Sequence, residues 1–143
     1  MRKNLLTLLG IFTLLSCGRE IIDDEYINLF NYKNDTQSNI TIFSYQQGIK
    51  TRHDLPKDKI YTQKLDNNFG STDKIIFYAD SVKIVYDNSK FKVWKSSDES
   101  PRNIIKRFDN YTKLKEEPNY SEYSFIFIPS DLDQTAVCKG NCN

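Results

Sequence analysis

Along most of the chain, apolar and polar residues alternate with a period of two, which is the signature of half-buried β-strands. "YINLFNY" (26–32) and "ITIFSYQ" (40–46) are rich in β-branched and aromatic residues, with Ile40 and Ile42 on one face of the second run and Phe43 and Tyr45 on the other. "KIIFYAD" (74–80) and "VKIVYD" (82–87) predict two further strands, and "IYTQKL" (60–65) gives a weaker signal of the same kind. "FKVWK" (91–95) pairs with 82–87 across "DNSK", whose residue types suit a tight turn. In "YSFIFIP" (123–129), Phe125 to Ile128 leave no polar face, which predicts a mid-sheet strand buried on both sides and ended by Pro129.

Two helical segments of about two turns each accompany these strands. "SPRNIIKRF" offers Ser100 as N-cap and Pro101 at the first helical position, with Ile104, Ile105 and Phe108 on one side. "SDLDQTAV" places Asp133 three residues after Ser130, a capping-box spacing that would fold Leu132 and Ala136 back onto the sheet.

Seven strands at this spacing are too close for βαβ crossovers, so the fold class is mainly β: an antiparallel sandwich, Ig-like in general shape, with a small open barrel as the alternative. The 143 residues suit one domain. A body of this size buries roughly two-thirds of its unfolded surface, so its folding requires neither a metal nor a disulfide. No internal repeat or low-complexity linker interrupts it.

The opening "MRKNLLTLLGIFTLLSCGRE" departs from the alternation. Arg2 and Lys3 precede an apolar core from Leu5 to Leu15. That core is too short for a transmembrane helix, which needs roughly 20 apolar residues, and it has the order of a secretory signal. Its end, Leu14-Leu15-Ser16-Cys17, resembles a bacterial lipobox. The resemblance implies that residues 1–16 are a signal peptide and that Cys17 is lipidated and becomes the first residue of the mature protein. It further implies a diacylglyceryl anchor on the membrane, often with a third acyl chain. Each buried CH₂ adds about 0.8 kcal/mol, and two or more chains hold stably.

Cleavage before Cys17 removes Arg2 and Lys3, leaving 18 basic against 19 acidic residues and a formal charge of −1. A near-neutral body lacks the concentrated positive charge of a nucleic-acid binder, so no nucleic-acid partner is expected. Residues 17–25 carry Glu20, Asp23, Asp24 and Glu25, as a solvated tether would. They also bear a loose resemblance to the acidic stretch that marks some Gram-negative lipoproteins for the cell surface. Gly18 after the cysteine, where inner-membrane retention signals carry Asp, favours the outer membrane by the same analogy. The single β domain then occupies 26–143.

Candidate chemistry is sparse. Cys138 and Cys142 form a C-x3-C pair with Gly140 between them, and in an oxidising compartment an even pair reads as a disulfide. Free thiols and a redox pair are the alternatives. A structural zinc site needs four ligands, more than the two remaining cysteines and one histidine supply, so no metal or other cofactor is expected. His53, the only histidine, lies in the charged "KTRHDLPKDK" and reads as a solvated loop residue. Asp54 beside it would point the other way in extended chain, so catalytic residues are expected to be none. A carboxylate pair about 5–10 Å apart could hydrolyse glycosides, but 19 acidic residues make chance pairs unavoidable. No glycine-rich phosphate loop is present. Trp94 and Tyr86 fall in the 82–95 hairpin, where they could share a face, and they are the candidate binding aromatics.

The lipobox, the compact β domain and the late aromatic strand with its acidic turn, "YSFIFIPSDLD", together resemble small envelope lipoproteins of Gram-negative bacteria. The resemblance implies an outer-membrane, lipid-anchored protein facing the periplasm or the cell surface. It carries no active residues across. A non-enzymatic domain that binds an envelope protein or glycan is the first expectation. An accessory subunit of an envelope assembly is the second, and a small hydrolase the third.

Overall fold

A computed structural model describes residues 26–66 and 74–142. The expected signal peptide, the lipidation at Cys17 and the acidic tether lie outside the described residues. Two sheets form a β-sandwich. The strands are β1 (Ile27–Asn34), β2 (Ile40–Gln46), β3 (Ile49–Leu55), β4 (Ile60–Asp66), β5 (Ser81–Tyr86), β6 (Lys90–Lys95), β7 (Thr112–Glu117), β8 (Tyr120–Phe127) and β9 (Ala136–Val137). One sheet has the order β4-β1-β8-β7 and the other β3-β2-β5-β6-β9. All pairings are antiparallel except β1 with β8, which runs parallel from Ile27↔Tyr120 to Asn34↔Phe127.

Alternation explains the central strands. In β1 every second residue from Asn28 to Asn34 is buried, and Phe30 and Tyr32 reach the core. β8 is mid-sheet as expected, with Phe125 and Phe127 inside, but Ile126 is only half-buried and Ile128 is exposed, so the strand is not buried on both sides. The "DNSK" turn joins β5 and β6, with Asp87 and Asn88 at φ 45° and 53°. Both residue types tolerate this left-handed region, which a twisted hairpin turn requires.

The core is largely aromatic. The Phe30 and Phe77 rings stack 4.8 Å apart, and Tyr111 meets both edge-on. Such pairs add about 0.5–1.5 kcal/mol each beyond their buried area. Buried Asn34 joins the sheets at one end: its amide donates to the carbonyls of Ser38 and Leu55, and its carbonyl accepts from Thr36.

Several expectations fail for identifiable reasons. Residues 74–80 form no strand. Ile76–Tyr78 is a 3-10 turn, because the Gln63 side chain accepts from the Ile76 amide and donates to the Lys74 carbonyl. That amide takes the place of a ladder partner while Ile75, Ile76 and Phe77 are buried. Residues 100–108 form no helix. Buried Asn103 donates to the carbonyls of Lys95 and Asp98 and accepts from the Ile105 amide, substituting side-chain bonds for helical ones. Lys106 then turns to φ 53°. Ile104 and Ile105 are buried as expected, whereas Phe108 is exposed. The final segment is a 3-10 turn over Pro129–Gln134, whose first amide, that of Ile128, is capped by Asp131 rather than through Ser130 and Asp133.

Two strands escape the apolar pattern altogether, β3 and β7. β7 is an exposed edge of lysine and glutamate, a composition that discourages pairing with other chains.

Candidate functional site

β3 is where the chemistry collects. Its charged residues, Lys50, Arg52 and Asp54, alternate with Thr51, His53 and Leu55, so all the charge falls on the solvent face. His53 faces the other sheet and is only 7% exposed, so it is a strand residue of the sandwich interior and not a solvated loop residue. The pairing Ile42↔His53 brings the ring beside Ser44 on β2. His53 Nε2 lies 3.1 Å from Ser44 Oγ, and Nδ1 lies 2.8 Å from the Tyr61 hydroxyl on β4. A chain of three polar side chains thus bridges the two sheets at the edge formed by β3 and β4. Burial lowers the His53 pKa below its ordinary value, against a smaller opposing effect of Asp54. The imidazole is therefore neutral at pH 7.

Asp54 points away from His53, to Arg52 and Thr41, and the Arg52 hydrogen bond holds its carboxyl below the usual range. Ser44 is 2% exposed. Ser44–His53–Tyr61 therefore lacks both an accessible nucleophile and an acidic orienting group, and it differs from a hydrolytic triad in those two respects.

Beside this chain opens a cleft of about 300 Å³. His53, Tyr61 and Thr51 form one wall, and Gln63, Lys74 and Ile75 form another. Thr62 and Lys64 complete the rim, and among the described residues no aspartate or glutamate lines it. Lys64 is paired with Asp66 at 2.9 Å. Gln63 fixes the segment that delivers Lys74.

The same segment ends at a second feature. Tyr78 packs edge-on against Phe77 at 5.0 Å, Phe77 meets Phe108 at 4.4 Å, and Phe108 meets Tyr123 at 4.9 Å. Tyr78 is 37% and Phe108 45% exposed, so these rings form an aromatic rim on the surface. Burial raises the Tyr78 pKa, with a further contribution from Tyr123.

The aromatics expected to bind lie elsewhere. Trp94 and Tyr86 do share a face, but it is the inner one, where they are 4% and 1% exposed. They are core residues and cannot stack on a ligand from solvent. Tyr86 OH and Trp94 Nε1 have no hydrogen-bond partner among the described residues. Cys138 and Cys142 form a disulfide with Cα atoms 5.5 Å apart. Among the described residues, no cluster of His, Cys, Asp and Glu could hold a metal ion, and no helix is long and apolar enough to cross a membrane.

The exposed rim and the cleft are both invisible in an apolar-pattern reading. The signal for β3 was its alternation of charge, which separates a solvent face from an inner face as clearly as hydrophobicity does. No family model, curated protein or solved structure matches the chain.

Proposed function

We propose that this chain is a lipid-anchored envelope protein whose β-sandwich binds a glycan without reacting with it. The aromatic rim supports this reading. Large aromatic side chains carry roughly 150–250 Å² each, so the exposed parts of Tyr78 and Phe108 offer on the order of 150 Å². A stable protein partner covers about 800 Å² on each side, several times more. One or two sugar rings match the smaller area. A pyranose presents a face of C–H groups to the negative face of an aromatic ring, and its hydroxyls meet the polar ends of Tyr78 and Tyr123. The burial of Ser44 speaks against a reaction driven by the His53 chain. Lipidation at Cys17, with the outer membrane as the site of residence, rests on the lipobox resemblance.

Two measurements test the proposal. Retention of the protein on polysaccharide isolated from the envelope should fall at least about tenfold in Phe108→Ala, with the folded state verified by thermal melting. Equal retention of both proteins, or none of either, would remove the glycan reading. Labelling with an alkyne fatty acid should mark the native protein and not Cys17→Ser. Equal labelling would dismiss the anchor at Cys17.

A further inference from the structure

On the outer face of the five-stranded sheet, we propose that Cys138–Cys142 is a thiol-exchange site, whose reduction by a dithiol lifts its loop off Phe43 and Val85. The site stands apart from the aromatic rim and from Cys17, so its failure would leave both of those readings untouched.

Burial distinguishes the two cysteines. Cys142 is 2% exposed and packs with Phe43 and Val85. Cys138 is half-buried at the margin of that cluster and is followed by the exposed Lys139 and Gly140. A thiolate arriving from solvent therefore meets Cys138 first, and access helps decide which sulfur of a disulfide is attacked. Two cations flank the pair: Lys139 is next in sequence to Cys138, and the Lys83 ammonium donates to the Cys142 carbonyl. Positive charge near a departing sulfur favours the thiolate, and partial exposure in an electropositive setting is the mark of reactive cysteines.

The exchange balances with a dithiol as the source of two electrons. Its first thiolate attacks Cys138 Sγ, the bond between the two cysteines breaks, and the electron pair leaves on Cys142 Sγ, which takes up a proton. The second thiolate of the reductant attacks the mixed disulfide and displaces Cys138, which is protonated in turn. The protein ends with two thiols and the reductant with a disulfide.

The closed ring holds Gly140 at φ 107°, one of many conformations open to a free glycine. The loop is also tied by the Cys142 amide on Asn88 and the Cys138 amide on Ser89, and the strand before it, β9, has two residues. Opening the ring restores freedom to 139–141, and that entropy works against keeping Cys142 in place. Phe43 and Val85, with Tyr45 and Phe91 beside them, then form an accessible aromatic strip.

Cys17→Ser in the full chain leaves Cys138 and Cys142 as its only cysteines. Dithiothreitol at pH 7.5 should reduce this protein while it is folded, at a rate within about tenfold of that for the urea-unfolded chain. Hydrogen exchange should then quicken at least about tenfold over 136–142 while β1 and β8 stay protected, binding of a hydrophobic dye should rise, and reoxidation should reverse both changes. A thioredoxin-type protein whose second cysteine is replaced by serine should be trapped on Cys138. Adding Cys138→Ser and Cys142→Ser together should reproduce the reduced protein and abolish the response to dithiothreitol. Reduction that waits for unfolding, unchanged exchange after reduction, loss of protection in β1 and β8 as well, or trapping on Cys142 would each overturn the assignment.

Discussion

On the solvent side of the four-stranded sheet, Thr62 donates to Asn31, Asn31 donates to Glu122, and Tyr120 donates to the other oxygen of Glu122. On the solvent side of the five-stranded sheet, Phe43 and Val85 lie buried beneath Cys142. The C-terminal loop is held there by the Cys142 amide on Asn88, the Cys138 amide on Ser89, and Lys83 on the Cys142 carbonyl. Lys50 sits over the Phe43 ring at 4.1 Å. One face thus meets water through a polar ladder, and the other carries a small second core that the end of the chain must cover. The disulfide acts less as a long-range cross-link than as a brace that keeps this cover in shape, since the loop it closes is very short.

The sharpest way to break the difference is to empty the second core. Phe43→Ala should cost about 3 kcal/mol, the lower end of the range for buried phenylalanine because the site lies under a single layer. Urea unfolding would read it as a fall in midpoint at nearly constant slope. Cys142→Ser should cost roughly 2 kcal/mol from loss of the closed loop. It should also increase binding of a hydrophobic dye at neutral pH as Phe43 and Val85 become accessible. A stability within about 0.5 kcal/mol of the native protein, with no dye uptake, would mean that the tail does not cover this face.

A third region, the seam where β3 and β4 meet, responds to acid through His53. Burial depresses the folded-state pKa of His53, so between that value and the unfolded value near 6.5 the unfolded chain binds more protons. Stability is therefore full above about pH 6.5 and declines as the pH falls toward the folded-state value. Melting midpoints taken from pH 7.5 down to 5 should show the decline in the native protein. His53→Gln, which cannot titrate, should lose that part of the slope even though its midpoint at pH 7.5 is lower. An unchanged slope would place the acid response elsewhere.

These three regions differ in how far the sequence reveals them. The core strands β1, β2, β5, β6 and β8 announce themselves, because apolar alternation directly encodes which face is inside. Which of two apolar faces is covered by what is not encoded locally. Trp94 and Tyr86 share a face as expected, but only the packing of the second sheet decides that it is the inner one. Residues 74–80 read as a strand because their apolar content is high. Their conformation is instead set by Gln63, eleven positions before Lys74, through bonds that no local pattern contains. The same holds for Asn103 in the expected helix. The His53 chain needs Ser44, nine positions earlier, and Tyr61, eight later, and only the registers of two strands bring them together. The disulfide was legible because the two cysteines stand only four residues apart, so the sequence itself places their Cα atoms within bridging distance.

The smallest effects belong to the four-stranded face, and they sharpen the contrast most because they test self-sufficiency. Glu122 accepts from Asn31 and Tyr120 at a half-buried position. Glu122→Ala removes both acceptors but leaves donors that water can reach, so the loss should be about 1 kcal/mol. Glu122→Gln keeps an acceptor, and the Asn31 amide can turn to reconnect the ladder, so its stability should stay within about 0.5 kcal/mol of native. Neither substitution should raise dye binding as Cys142→Ser does, because Leu29, the apolar neighbour opposite Glu122, is only half-buried, and among the described residues this face carries no buried apolar cluster. Dye uptake by Glu122→Ala comparable to that of Cys142→Ser would show that this face too depends on a cover, and the distinction between the two sheets would collapse.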